Sequence, residues 1–145
     1  MRTLEWDNAT QRLKMVDQRL LPSTFSYIYL DSYQAVSDSI RDMAVRGAPA
    51  IGVAAAFGMV LAAYQSKATT FNLIIKDLEH AAQILENSRP TAVNLPWALK
   101  RMLKTAKYYS EDSGNIFNMM LGEALKMAEE DVETNKALST YGAEL

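Results

Sequence analysis

Between Thr3 and Leu30 apolar positions alternate with polar ones. Leu13 and Met15, then Tyr27 and Tyr29, alternate with other residues as the two faces of a strand do, and Asp7-Asn8 and Pro22 interrupt the run. The pattern predicts a small antiparallel meander. After Asp31-Ser32 the period becomes helical, with Tyr33, Val36, Ile40 and Met43 on one face and Asp31 or Ser32 placed to cap the start. A second helix is expected to begin at Pro49 and to run without a charge as far as Ser66. Its Gly52, Ala54, Ala55, Ala56 and Gly58 are small on nearly every side, which suits a helix packed against several neighbours at close range. Glycine within a helix costs about 1 kcal/mol relative to alanine, so Gly52 and Gly58 are expected to serve close approach.

Phe71, Ile74, Ile75, Leu78, Ala82 and Leu85 form an amphipathic stripe that Asn87-Ser88-Arg89-Pro90 ends. The next helix sets Leu99, Met102, Leu103 and Ala106 on one face. The last runs from about Asn115 towards the C-terminus, with an expected core face of Phe117, Leu121, Leu125, Ala128 and Val132. The sum is an α+β fold in one domain over 1–145, a small N-terminal antiparallel β-meander (about 1–30) followed by a bundle of about five α-helices (about 33–145). There is no internal repeat, and the longest linker, near Ser110 to Gly114, is short.

Composition narrows the classes. With 145 residues, 49% hydrophobic and 22% charged, the chain can bury a true core. A net charge of -2 without a Lys/Arg cluster argues against a nucleic-acid partner. Cysteine is absent, so these residues hold no disulfide, no thiolate metal site and no cysteine nucleophile. The N-terminal MRTLEWDNATQRLK lacks the apolar core of a secretory signal, and a cytoplasmic location is the default expectation. The stretch from Gly47 to Ser66 is long enough to raise the question of a membrane span. It is rich in Ala and Gly and has no positive cluster at either flank, so a buried central helix is expected and a membrane partner is not.

The chemistry-bearing block is Val45-Arg46-Gly47-Ala48-Pro49-Ala50-Ile51-Gly52, which sets a cation and a glycine immediately before a helix that starts on a proline. Proline fits the first turn because the donor it lacks would be unpaired there. The remaining free N–H groups and the positive end of the helix dipole suit an oxyanion, most simply a phosphate. In the alternative, Gly47 only permits a turn and Arg46 pairs with a carboxylate; spacing does not separate the two. A second block, Ser88-Arg89-Pro90-Thr91, again puts an arginine before a new helix, with Thr91 or Asn94 able to cap it and Pro96 obscuring the exact start. Two arginines beside two helix openings can converge on one anion, and a guanidinium fork suits phosphate oxygens. By spacing alone a surface ion pair is the simpler reading of Arg89. His80 shares a polar face with Lys76, Gln83 and Asn87 and is expected in solvent. The run Glu129-Glu130-Asp131, continued at Glu133, reads as a solvated acidic face rather than a metal site, because adjacent helical carboxylates diverge. Met119, Met120 and Met127 are expected in core or interface packing.

Two runs carry a resemblance. RDMAVRGAPAIGVAAAFGMVLAA from Arg41 to Ala63, and RPTAVNLPWALKRM from Arg89 to Met102, resemble the N-terminal domain of methylthioribose-1-phosphate isomerases, which belong to the translation initiation factor 2B alpha/beta/delta-like superfamily. LEWDN near the start and VDQRLLP at Val16 to Pro22 are similar to the same family's opening, so the likeness covers essentially the whole chain. It implies an aldose–ketose isomerase of methionine salvage that converts 5-methylthioribose 1-phosphate to 5-methylthioribulose 1-phosphate without a metal or nucleotide cofactor. It further implies that Arg46, Gly47, Ala48 and Arg89 contact the substrate phosphate and sugar. Family members continue into a Rossmann-like C-terminal domain that supplies a catalytic cysteine and aspartate. This chain has no cysteine, no aspartate that matches the second role, and ends about where that domain would begin. The expectation is a substrate-binding domain that is inactive alone, without catalytic residues of its own. Apolar faces left by the absent domain would favour a homo-oligomer or a second chain that supplies it. Pro96 stands where the family more often has an aromatic or other helix-compatible residue. Two other readings remain: a non-catalytic interaction module related to the initiation factor 2B regulatory subunits, and part of a ribose-1,5-bisphosphate isomerase.

Overall fold

The computed structural model describes residues 3–108 and 115–144, with side chains as far as residue 133. The linker expected at Ser110 to Gly114 lies outside the described residues. Three strands, β1 (Leu4–Asp7), β2 (Arg12–Val16) and β3 (Tyr27–Leu30), form an antiparallel sheet in the order β1-β2-β3. Asp7 closes the first turn by accepting from the Ala9 amide (3.1 Å) and the Thr10 hydroxyl (2.6 Å). Trp6 pairs with Leu13, and Leu13 with Leu30, so one row of apolar side chains faces inward. Lys14 and Tyr29 of the opposite face point outward. The period of two along each strand requires that division.

Five helices follow: α1 (Tyr33–Arg41), α2 (Ala48–Gln65), α3 (Phe71–Asn87), α4 (Asn94–Tyr108) and α5 (Ile116–Glu144). Ser32, rather than Asp31, caps α1 by accepting from the Ala35 amide at 3.0 Å. The helix ends sooner than the apolar spacing implied. The Ala44 amide donates to the Ser39 carbonyl (2.9 Å) and the Met43 amide to the Ile40 carbonyl (3.3 Å), the paired bonds of a Schellman termination. Met43, at φ +66°, takes the left-handed place and is 43% exposed, so it is not part of the α1 core face.

The core is built around α2. All twelve residues from Ile51 to Ala62 are buried, and α1, α3, α4, α5 and the sheet all pack on them. Trp6 of β1 stacks on Phe57 with ring centroids 5.8 Å apart, which fixes the sheet against the helix. Gly58 allows the closest approach: a Cβ there would stand 3.1 Å from Leu85 Cδ1 of α3 and 3.2 Å from Val36 Cγ1 of α1.

The inner face of α5 differs from the expected one. Ile116, Met120, Ala124 and Met127 are buried with Ala128, whereas Phe117 and Leu121 sit at the edge and Leu125 is 42% exposed. The two stripes are one residue apart and both apolar, so the choice falls to fit. The small Ala124 and the adaptable methionines seat against α2 more closely than the bulkier stripe would.

Two consequences can be measured. Leu85 and Val36 are fully buried and cannot yield, so Gly58→Ala should cost about 1 kcal/mol in denaturant unfolding, overpacking outweighing the gain in helix propensity. Asp17, only 4% exposed, accepts from the Arg19 amide (3.1 Å) and from its guanidinium at 2.9 and 2.7 Å, and these bonds hold its carboxyl below the ordinary 3.8. A depressed folded value means the contribution is complete above the unfolded pKa and is lost as pH falls through the folded one. Asp17→Ala should therefore cost about 1–2 kcal/mol at neutral pH. The gap from the parent chain should close as pH drops below that ordinary value.

Candidate functional site

The segment between α1 and α2 rises from the core to the surface. Ala44 and Val45 are buried, and the Ala44 carbonyl accepts from the Gln18 amide at 2.9 Å, tying the turn to the chain that follows β2. Arg46, Gly47, Ala48 and Pro49 are then exposed in succession. Gly47 is the N-terminal cap of α2 at φ +91°, a conformation that L side chains rarely adopt, and nothing lies within 4 Å of where its Cβ would stand. The backbone thus demands glycine there, and the space above it is open.

No side chain caps α2, and Pro49 occupies its first turn. The N–H groups of Ala48 and Ala50 are left facing outward at the positive end of a helix dipole. Arg46 precedes Gly47 and is exposed. Its Nε donates weakly to the Met43 carbonyl at 3.4 Å, and among the described residues its guanidinium enters no ion pair. Among the described residues, the carboxylate partner of the alternative reading is not found.

Arg89 lies in the turn between α3 and α4 and is half-buried. Its carbonyl accepts from the Ala92 amide (3.0 Å), and the Ala92 carbonyl accepts from the Leu95 amide (3.3 Å), so two tight turns lead into α4. Pro96 falls in the first turn of α4, where its missing donor costs nothing, and the helix starts at Asn94. Arg89 also enters no ion pair among the described residues, contrary to the simpler reading of its spacing.

The starts of α2 and α4 touch. A Cβ at Gly52 would stand 3.4 Å from the Asn94 carbonyl oxygen and 3.7 Å from Ala98 Cβ, ordinary contact distances that a larger side chain would violate. Arg46 and Arg89 stand a few residues upstream of that contact on their respective segments. They share no hydrogen-bond partner among the described residues. What the fold brings together is the pair of helix openings.

Beside the contact is a cavity of about 260 Å³. Pro49, Gly52 and Val53 of α2, Asn94 and Trp97 of α4, and Met127 of α5 line it, with Glu130 and Asp131 of α5. Neither arginine does. Sequence reasoning placed Met127 in packing, and it is buried, but it did not mark Trp97, which is 57% exposed. Nor is the acidic run merely solvated. Glu130 accepts from Arg101 at 2.8 and 3.0 Å, and Glu123 accepts from the Arg101 Nε at 2.7 Å. That bond to Arg101 holds the Glu130 carboxyl below its ordinary 4.5, and the two carboxylates raise the proton affinity of Arg101. Arg101 in turn lies 5.6 Å from the Trp97 ring centroid. Spacing carried a signal for this cluster: Trp97 and Arg101 are four apart on α4, and Glu123, Met127 and Glu130 follow at four and three on α5. His80 is exposed, as its polar face implied.

Residues 44–145 match the initiation factor 2 subunit family, a segment that opens at the loop carrying Arg46 and includes both helix openings. The chain belongs to that family. Within the initiation factor 2 subunit family, the methylthioribose-1-phosphate isomerase of Thermosipho africanus is 46% identical over 143 residues, which are 99% of this chain and 40% of that protein. The crystal structure of 5-methylthioribose 1-phosphate isomerase from Pyrococcus horikoshii superimposes with a TM-score of 0.91 at 46% identity, covering 99% of this chain and 40% of that one. The delta subunit of translation initiation factor eIF-2B from A. fulgidus gives 0.90 at 38% identity, covering 99% and 41%. The chain therefore spans about two-fifths of the length of the relatives it matches.

Gly47→Ala should destabilise by about 1 kcal/mol through the left-handed backbone, whereas Arg46→Ala should change stability by less than about 0.5 kcal/mol because only a weak bond to the Met43 carbonyl is lost. Chemical denaturation of both variants measures the contrast.

Proposed function

We propose that this chain is the phosphate-holding, substrate-binding domain of a methylthioribose-1-phosphate isomerase. In this role Arg46 and Arg89 neutralise the phosphate of 5-methylthioribose 1-phosphate, the backbone N–H groups around Gly47 and Ala48 bind its oxygens, and the sugar lies over Gly47, where no side chain intrudes. The observation that carries the reading is the uncapped opening of α2, immediately preceded by an arginine that enters no ion pair among the described residues. Two guanidinium groups and a helix terminus together supply the charge that a phosphate dianion needs, so the reading calls on no metal or nucleotide cofactor.

Phosphate anchoring fixes the sugar's C1 end, and an aldose–ketose isomerisation then requires proton transfer between neighbouring carbons. That transfer belongs to groups outside these 145 residues, either in further sequence or in a second chain, and self-association is part of the same reading. The chain binds and orients; it does not turn over substrate alone. Its setting is methionine salvage in the cytoplasm, without a nucleic-acid or membrane partner. A second reading, a non-catalytic interaction module, draws on the close superposition with the eIF-2B delta subunit. An interaction module has no use for an open phosphate site.

Titration of the isotopically labelled chain with inorganic phosphate, followed by amide NMR, separates the two. Shifts at Gly47 and Ala48 are expected, with affinity falling about tenfold or more in Arg46→Ala and in Arg89→Ala, as for the loss of a charge-assisted contact. Added salt should weaken the response. Silence at both amides would favour the interaction module.

A further inference from the structure

Among the described residues Asp17 is the one ionisable side chain that the fold buries. It follows β2 directly, and every polar atom it has is engaged. Its amide donates to the Ser26 carbonyl (2.9 Å), and its carbonyl accepts from the Leu20 amide (3.3 Å). One carboxylate oxygen accepts from the Arg19 amide and from Arg19 Nε, and the other accepts from Arg19 Nη2. A buried ion pair is a weak source of stability, because desolvation offsets much of the attraction. These bonds do constrain geometry, since a carboxylate that accepts from the amide two residues on closes a tight turn. The turn closed here is Gln18–Leu20.

The first amide of that turn reaches the loop that carries Arg46. The Gln18 amide donates to the Ala44 carbonyl at 2.9 Å, and the Ala44 amide donates to the Ser39 carbonyl at 2.9 Å. Ala44 is thus clamped on both sides, with the buried Val45 and then Arg46 following it. Just before the clamp, Met43 stands at φ +66°, a left-handed conformation that a methionine holds only where its surroundings over-determine it. The Met43 carbonyl also accepts from Arg46 Nε. The segment leading to Gly47 therefore stores backbone strain, and the two bonds to Ala44 oppose its release.

We propose that Asp17 is a positioning residue for the phosphate loop: through the turn it closes and the Gln18–Ala44 bond, its carboxylate sets where the backbone of Arg46 and Gly47 stands. The inference rests on the reading of Arg46, Gly47 and Ala48 as the holders of a phosphate. Two independent observations meet in it, a buried charge on one segment and a left-handed methionine on the other, joined by one hydrogen bond.

A carboxylate can serve an anion site in this way because it is not offered to the ligand. Both of its oxygens are taken by Arg19, which neutralises its charge. What the loop receives is order. An N–H···O bond tolerates donor–acceptor distances of only about 2.7–3.2 Å, so a backbone shift of about 1 Å at Gly47 takes its amide out of range of a phosphate oxygen. A loop already fixed also loses less conformational freedom when it binds.

The test uses the labelled 145-residue chain, with inorganic phosphate as the probe and Gly58→Ala as a control that is destabilised away from the loop. Amide hydrogen exchange without phosphate reads the clamp, each rate taken relative to the α2 amides of the same variant. In Asp17→Ala the Gln18 and Ala44 amides should exchange about tenfold faster, and phosphate affinity should fall about threefold to tenfold. Gly58→Ala should leave both within about twofold of the parent chain. Asp17→Asn keeps an acceptor for the Arg19 amide and should restore phosphate affinity to within about twofold. Gln18→Pro removes the donor to Ala44 at the first position of a helical turn, where proline fits, and should weaken phosphate as Asp17→Ala does. It decides the matter if Asp17→Ala fails to fold. Parent-like exchange at Ala44, or phosphate affinity in Gln18→Pro no weaker than in Gly58→Ala, overturns the positioning role and leaves the phosphate site standing. If the Gly47 and Ala48 amides of the parent chain ignore phosphate, the site itself falls, and this inference with it.

Discussion

Helix α2 has no side that faces water over most of its length, and every other element takes its position from that fact. A helix buried all round must present small or well-fitted side chains in each direction, because its neighbours stand close on each side. Gly58 brings α1 and α3 against it, Gly52 brings the start of α4, and Phe57 receives Trp6 from the sheet. The helix is long and apolar enough by composition to cross a membrane, yet most of it is buried inside the fold. Its charge-free surface is used for packing protein on protein.

The same burial places the candidate site. Because α2 enters the core at Ile51, its first residues remain at the surface, and there the chain carries Arg46, a left-handed glycine and a proline instead of a capping side chain. The positive end of the helix is thereby left without a capping side chain. Next to it the ion-paired Glu123–Arg101–Glu130 cluster joins α4 to α5 and gives the adjoining cavity the opposite sign. The likeness to both an isomerase and an eIF-2B subunit shows that one scaffold is shared across the family. Function on that scaffold must be argued from the site, not the fold.

Local rules made much of this molecule legible. Alternation with breaks at Asp7-Asn8 and Pro22 suffices for a three-stranded meander, since a period of two has no other common use. A stripe at Ile74, Leu78 and Leu85 suffices for α3, and the run of small residues from Gly52 to Gly58 marks α2 as a helix buried on all sides. Spacing left Arg46 undecided and favoured a surface ion pair for Arg89, and it was the family resemblance that singled out Arg46, Gly47, Ala48 and Arg89. Two details of the helices escaped. The end of α1 is a Schellman turn carrying methionine where glycine is usual, so no local signal announced it. The inner face of α5 was displaced because two apolar stripes run side by side along it.

The amino-acid sequence by itself therefore determined the elements, their order and the burial of α2. Each of these depends on spacing within one segment, through backbone geometry and hydrophobic period. Only the tertiary structure decided that the openings of α2 and α4 touch, that neither arginine has a carboxylate partner among the described residues, and that Trp97, Met127 and Asp131 meet around one cavity. Those facts join residues far apart along the chain, and their distances are set by how closely α2, α4 and α5 can pack, a three-body condition that no single periodicity encodes.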